Sequence, residues 1–313
     1  MDKPGFQRQI NQNMFWIIDE THKMMILIKK LNAYLQLTKP RIMMLVVFTG
    51  AVALILEGSL LHQPFDFMVV LFALYLTGGS ANALNQYFER DIDGRMSRTA
   101  QKRPLPAQRI GSKSALLFSV GIGIAGVLIF GFYFNWYSAL LSFATILFYS
   151  LIYTLLLKPN TDQNIVIGGA AGAMAPVGAW VAASGNMEFA PWVLFLIIFF
   201  WTPPHFWALA LFYKDDYIKS GLPMMPVVRG EGKTLQYIYL YTWVLVASSF
   251  AMLVSEKVSL IYGMVAAVLG IVFILKSYQA RKQRSISSFR NLFGYSISYL
   301  FALFMALLID GLI

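Results

Sequence analysis

The stretch FDFMVVLFALYLTGGSANAL at residues 65–84 runs directly into NQYFERDIDGRMSRTAQKRPLP at residues 85–106. The first part is long and apolar enough to cross the hydrocarbon core of a bilayer as an α-helix. The second part adds acids and then several basic residues at one end of that helix. Polar groups at membrane depth are costly unless they are satisfied. The stretch therefore predicts a membrane-spanning helix with a polar site at its end.

The rest of the chain extends this reading to an all-α polytopic membrane protein. The sequence has 313 residues, of which 58% are hydrophobic and 13% charged, and its mean hydropathy is +0.62. Soluble domains carry about 25% charged residues, and continuous apolar runs disfavour a β-barrel, in which apolar and polar residues alternate. We predict nine helices around a central cavity, at residues 42–60, 66–88, 114–134, 136–157, 164–184, 190–212, 236–255, 258–276 and 291–311.

The distribution of Lys and Arg predicts how these helices are oriented. With the N-terminus in the cytoplasm, Lys257 is the only one of the 25 basic residues that falls in an outside loop, as the positive-inside rule requires. The C-terminus is then outside. We divide the chain into a cytoplasmic arm at 1–33, a candidate interfacial helix, and one nine-helix domain at 34–313. The net charge of +10 reflects this topology, so no nucleic-acid partner is expected.

The acids after the second span form the first candidate site. At about 100° per residue, Asn82, Asn85, Glu89 and Asp93 fall within an arc of about 80° on one helix face, whereas Asp91 points elsewhere. Carboxylate and amide oxygens suit Mg²⁺, which also takes ligands from substrate phosphates. The basic residues that follow suit phosphate oxygens. A loop whose acids and bases merely pair with each other explains the charges equally well, but not the two asparagines.

The sixth predicted span contains the second candidate site, within WTPPHFWALAL at residues 201–211. His205 is an ionisable residue inside an apolar helix, which marks a candidate functional residue. On a continuous helix Asp216 lies about 20° away from it, so both are expected to face one cavity. The alternative is that His205 only satisfies carbonyls freed by Pro203 and Pro204.

These segments resemble the UbiA superfamily of intramembrane prenyltransferases. Asn85, Glu89 and Asp93, followed by KRPLP at residues 102–106, resemble its first aspartate-rich motif, with Glu89 where Asp is usual. The segments at 201–211, KDDY at 214–217, GLPMMPVVRG at 221–230, LTKPRIMML at 37–45 and YTLLLKPNTDQNIVIGG at 153–169 resemble the branch that forms haem O, the protohaem IX farnesyltransferases.

The resemblance implies Mg²⁺-dependent transfer of a farnesyl group from farnesyl diphosphate to a vinyl group of haem b, in a multi-pass protein of the inner cell membrane. It also implies association with haem A synthase or the oxidase assembly machinery. The site residues expected from it are Asn85, Glu89, Asp93 and Asp216 for catalysis, these four with Asp215 for the metal, Arg98, Arg103 and Lys158 for the diphosphate, and His205, Trp201, Phe206 and Trp207 for haem.

Three other functions stay open at this point. A related prenyltransferase could act on a quinone precursor or a chlorin, but His205 and its flanking aromatic residues would then have no evident use. A cation-coupled transporter is compatible with nine spans, although the acids cluster at one end with basic residues. A structural assembly factor would not need the polar stripe at Asn85.

Overall fold

The computed structural model describes residues 3–97 and 99–312, with side chains from residue 20 onward. Within these residues it contains nine helices that are long and apolar enough to cross a membrane, and no strand. The prediction of an all-α fold with nine spans is confirmed. The first to ninth spans are Pro40–Glu57, Pro64–Phe88, Ser112–Phe134, Trp136–Asn160, Asn164–Ser184, Phe189–Phe212, Gly230–Ser255, Leu260–Gln283 and Ile286–Asp310.

A long N-terminal helix, Lys3–Leu37, precedes the first span and runs without a break across the expected boundary at residue 33. Its last turn is anchored on the bundle, where Leu37 packs with Ala83, Leu105 and Ala115. Gln86 Nε2 donates to the carbonyl oxygens of residues 36 and 37, at 3.0 and 2.9 Å. These bonds satisfy carbonyls that a helix C-terminus leaves unpaired, so the second span fixes where the N-terminal helix ends.

The spans pack around an apolar cavity of about 610 Å³, lined by the first, second, fourth, fifth, sixth and ninth spans. The fifth span lies centrally and contacts the first, second, fourth and sixth. In the most apolar 18-residue segment of this span, 67% of the residues are buried inside the protein. Glycine lets its neighbours approach closely, since a Cβ at Gly168 would lie 2.2 Å from the Tyr153 ring. Small residues are typical of helix contacts within membranes, which explains the Gly- and Ala-rich sequence of this span.

The fourth span changes from α-helix to π-helix over Phe148–Leu157. Hydrogen bonds in a π-helix join residues five apart, so residues four and five apart share a face. Tyr149 and Tyr153 stack with ring centroids 5.1 Å apart, and both line the cavity. Lys158 follows Tyr153 by five residues, which brings its side chain to the same side of the span.

Three short helices lie between the spans, and the first two carry loop acids. Arg90–Asp93 follows the second span, and Lys214–Ser220 and Met225–Val228 lie between the sixth and seventh spans. The sixth span ends at Phe212, and Tyr213 separates it from the next helix. The helix of the sixth span is therefore interrupted just before Asp215 and Asp216.

Candidate active site

The acids after the second span lie on one buried stripe, as the helical spacing predicts. Glu89 N donates to Asn85 O at 3.0 Å and Asp93 N donates to Glu89 O at 2.8 Å, so helical bonding continues past Phe88. Asn85, Glu89 and Asp93 are only 2%, 3% and 2% exposed. Asp91, on the other side of the short helix, has a side chain that is 80% exposed. The polar face of the helix therefore points into the protein.

Two of the predicted phosphate-binding cations contact these acids. Arg103 Nη1 lies 3.4 Å from Glu89 Oε2 and also contacts Asp93 Oδ2. Lys158 Nζ lies 2.5 Å from Glu89 Oε1. Because both carboxylates reach the same guanidinium nitrogen, they converge on one point. The third predicted cation, Arg98, lies outside the described residues.

The cations keep Glu89 ionised despite its burial. Burial alone would raise the pKa of Glu89, but the neighbouring Lys158, Arg103 and Lys39 outweigh it and lower that pKa to about 2. Burial raises the pKa of Asp93, and Arg103 opposes this effect. A group of paired buried charges is stable only while its partners remain in place.

Lys39 belongs to this cluster and was not predicted as a site residue. Its Nζ donates to Asn85 Oδ1 at 2.6 Å, and Asn85 Nδ2 donates to Thr154 Oγ1 at 3.1 Å. Lys39 caps the first span with a φ of 54°, in the left-handed region that costs a non-glycine residue about 1–2 kcal/mol. A lysine at the start of a span usually indicates snorkelling to the interface, which is why the sequence did not single it out.

The composition of the cluster is compatible with a magnesium ion and a diphosphate. Two carboxylates and the amide oxygen of Asn85 supply the hard oxygen ligands that Mg²⁺ prefers. Among the described residues no group of three or more His, Cys, Asp or Glu is placed to hold a metal, so the remaining ligands would be substrate oxygens and water. Lys39, Arg103 and Lys158 bring three N–H-donating side chains to the two acids, so donors remain for an anionic ligand. Burial and the neighbouring Arg103 lower the pKa of Lys39.

The second acidic loop is built differently from the first. Asp216 is 8% exposed, and both of its carboxylate oxygens lie 2.8 Å from Ser97 Oγ. Asp215 is exposed. The expectation that Asp216 and His205 face one cavity rested on a continuous helix, and it is wrong: the helix ends at Phe212, and Asp216 does not line the cavity. Asp216 instead joins the second loop to the first through Ser97.

His205 lies on the wall of the cavity between two aromatic rings. The centroid of its ring is 4.2 Å from that of Trp201 and 4.6 Å from that of Phe293, with interplanar angles of 18° and 27°. His205 Nδ1 is 2.7 Å from Ser296 Oγ, and Trp201 Nε1 donates to Ser296 O at 2.7 Å. The histidine is thus held by the ninth span and not by carbonyls freed at the two prolines.

The predicted acceptor residues divide into two groups by position. Trp201, His205 and Phe206 line the cavity. Trp207 is fully buried and packs against Tyr237 and Tyr241 of the seventh span. It does not line the cavity, because it lies two residues from His205 and hence on the other side of the helix. The placement of Trp207 therefore argues against its predicted contact with the acceptor.

The cavity ends next to the acid cluster, because Asn82 and Tyr153 line it while Asn85, Glu89 and Asp93 do not. Its walls are mainly apolar and include Leu74, Leu141 and Ile198. Asn82 lines it as well, one helical turn before Asn85. A molecule with an ionic head at the cluster and an apolar tail in the cavity would fit this arrangement.

Residues 45–307 match the UbiA prenyltransferase family. The chain belongs to this family. It is therefore a multi-pass membrane enzyme of the prenyltransferase class. The expectation of UbiA membership, made from Asn85, Glu89, Asp93 and the segments near His205, is confirmed.

Curated relatives and solved structures agree with this family. The chain is 47% identical, over 281 residues, to the protoheme IX farnesyltransferase of Rhodopseudomonas palustris strain HaA2, covering 88% of this chain and 89% of that protein. It resembles a structure reported for digeranylgeranylglyceryl phosphate synthase, with a TM-score of 0.76, 18% identity and coverage of 90% and 98%. It also resembles a UbiA homologue from Archaeoglobus fulgidus bound to DMAPP and Mg²⁺, with a TM-score of 0.57, 16% identity and coverage of 87% and 99%.

Proposed function

We propose that this enzyme transfers a farnesyl group from farnesyl diphosphate to a vinyl group of haem b, giving haem O. The observation that carries the proposal is the buried acid and cation cluster next to an apolar cavity that Asn82, Tyr153 and His205 line. The similarity to protoheme IX farnesyltransferases over nearly nine-tenths of the chain supports this choice of substrates. A quinone precursor or chlorin as acceptor would leave the aromatic site around His205 without a use.

The cluster would bind the diphosphate and stabilise it as it leaves. Asn85, Glu89 and Asp93 would hold Mg²⁺, which supplies positive charge at the oxygens of the leaving group when it is bound. Arg103 and Lys158 now pair with Glu89 and Asp93, and they would turn to the phosphate oxygens once the metal neutralises the acids. Charges already placed where negative charge develops lower the barrier without reorganisation at the moment of reaction.

The cavity would hold the farnesyl chain and shield the reacting carbon from water. Tyr153 and Tyr149 line it about one and two helical turns before Lys158. Aromatic faces attract a cation, so these rings are placed to stabilise positive charge on the allylic carbon. His205, with Trp201 and Phe206, would contact the porphyrin.

The reaction balances with water as the third reactant. The allylic C–O bond breaks and pyrophosphate leaves with the electron pair. The terminal vinyl carbon bonds to farnesyl C1, which leaves a cation on the carbon next to the porphyrin ring. Water adds there and loses one proton, giving a hydroxyethylfarnesyl group.

We further propose that the enzyme works in the inner cell membrane, with the acid cluster on the cytoplasmic side. The placement of nearly all Lys and Arg on one side of the spans supports this orientation. Association with haem A synthase or the oxidase assembly machinery would deliver the product without its leaving the membrane.

The proposal is tested by incubating the purified protein with haem b, farnesyl diphosphate and Mg²⁺ and measuring haem O by mass spectrometry. Haem O should form with the parent protein and depend on Asp93, tested with Asp93→Asn. If the parent prenylates an aromatic acid and leaves haem b unchanged, the proposed acceptor is wrong.

A further inference from the structure

We propose that Ser296 is a positioning residue that holds His205 as the Nδ1–H tautomer and leaves Nε2 as a ligand open to the cavity, where it would bind the iron of the acceptor. This inference rests on the proposed function, because it takes the acceptor to be an iron porphyrin. It concerns a residue of the ninth span that lies outside both polar motifs of the sequence. It rests on the direction of two hydrogen bonds.

The hydroxyl of Ser296 has one hydrogen and two neighbours that compete for it. Ser296 Oγ is 2.6 Å from the carbonyl oxygen of Phe293 and 2.7 Å from His205 Nδ1. The carbonyl can only accept a hydrogen bond, so the serine hydrogen must point to it. The remaining lone pairs of Oγ then accept from His205, which places the ring hydrogen on Nδ1.

The other ring nitrogen, Nε2, is free to bind a ligand in the cavity. A neutral imidazole that carries its hydrogen on Nδ1 has a lone pair on Nε2. In the described part of the chain Nε2 has no hydrogen-bond partner, and it is not among the fully buried polar atoms that lack one. Since His205 lines the cavity, Nε2 opens into it.

The surroundings fix the ring orientation as well as the tautomer. Trp201 and Phe293 stack on the two sides of the imidazole, and Trp201 is itself tied to the backbone of Ser296. Histidines that bind metals commonly donate their second ring N–H to a fixed partner, which sets the tautomer and raises ligand basicity. Ser296 occupies that second position here, and imidazole nitrogen is a suitable ligand for iron.

The test compares two porphyrins that differ only in the metal. The affinity of the full-length purified protein for haem b and for iron-free protoporphyrin IX is measured by absorption or fluorescence titration. Ser296→Ala should weaken haem b binding about tenfold, alter the haem absorption spectrum and leave protoporphyrin IX binding unchanged. His205→Ala should remove the preference for haem b over protoporphyrin IX, and Ser296→Thr, which keeps the hydroxyl, should restore haem b affinity.

Ser298→Ala is the matched control, because Ser298 is an exposed serine on the same span and should bind both porphyrins as the parent does. In steady-state assays the KM for haem b should rise in Ser296→Ala while the KM for farnesyl diphosphate stays constant. Equal loss of affinity for both porphyrins would reduce Ser296 to a packing residue and overturn the inference, as would parent-like haem b binding by Ser296→Ala. A parent that makes no haem O refutes the proposed function itself, and this inference with it.

Discussion

Two loops that carry acids, residues 89–113 and 214–233, hold their carboxylates in different ways. In the first loop Glu89 and Asp93 are buried and contact Arg103 and Lys158. In the second loop the buried Asp216 accepts from the Ser97 hydroxyl. A hydroxyl brings no charge, so within the described residues Asp216 has no cation partner comparable to Arg103 and Lys158.

This difference assigns separate tasks to the two loops. The first would carry the charges of the reaction, and the second would dock on it, since Ser97 belongs to the first loop and Asp216 to the second. Substitutions in the first loop should therefore affect the chemical step strongly. Those in the second should act only through the position of the first.

The largest effect is expected from neutralising an acid of the first loop. Asp93→Asn and Glu89→Gln should each lower kcat at least about a hundredfold, comparable to the loss of a strong electrostatic contact in other active sites. Haem O formation under saturating substrates measures this. Asp91→Asn is the control on the same short helix, because Asp91 is exposed and should keep parent activity. Comparable losses of kcat in all three variants would mean that activity depends on the total negative charge of this loop and not on the buried position of Glu89 and Asp93.

A smaller effect, on stability, is expected from removing the cation that the two acids share. Arg103→Ala leaves Asp93 and one oxygen of Glu89 buried without this partner, which should cost about 3 kcal/mol in the free energy of unfolding. Thermal unfolding in detergent measures the change. Lys102→Ala changes an exposed neighbour and should unfold like the parent. Equal unfolding of the two variants would show that the ion pairs contribute nothing to the fold.

A moderate loss of activity is expected in the second loop. Asp216→Ala should lower turnover about tenfold, as loss of a supporting contact does, and Ser97→Ala should do the same. The double variant should be no worse than either single one, since both remove one interaction. Asp215→Asn should resemble the parent. Additive losses at Ser97 and Asp216 would indicate that Asp216 has a direct role beyond this contact.

The smallest effect is expected at Trp207, on the far side of the His205 helix. Its indole N–H is buried and has no hydrogen-bond partner among the described residues, so Trp207→Phe removes an unsatisfied donor and no wall of the cavity. Activity and the KM for haem b should stay near the parent values. Trp201→Phe removes the bond to Ser296 and should raise that KM. If the KM for haem b rises with Trp207→Phe and not with Trp201→Phe, Trp207 contacts the acceptor after all.

Much of the fold follows from local properties of the sequence. Apolar runs of membrane length predict the nine spans, and helical spacing separates Asp91 from Asn85, Glu89 and Asp93. The ends of the helices were less predictable: the seventh begins at Gly230 and the eighth continues to Gln283, beyond the apolar runs at 236–255 and 258–276. Hydropathy marks where lipid begins, whereas helices continue into polar surroundings.

The parts of the site that the sequence did not reveal depend on contacts between distant segments. Lys39 and Ser296 contact Asn85 and His205 across 46 and 91 positions, and neither residue type is unusual where it stands. The sequence also carries no strong signal for the end of the sixth span at Phe212. Because the helix stops there, Asp216 does not line the cavity. Periodicity predicts which residues share a face, but the partners of that face come from packing.

The central claim, that the first loop holds a metal and a diphosphate together, is tested most directly by binding. Affinity for farnesyl diphosphate is measured by calorimetry with Mg²⁺ and with EDTA, for the parent, Asp93→Asn and Asp216→Asn. We predict that Mg²⁺ tightens binding in the parent and in Asp216→Asn, and that Asp93→Asn loses this dependence. Dependence on Mg²⁺ that persists in Asp93→Asn, or that is absent from the parent, would contradict the account.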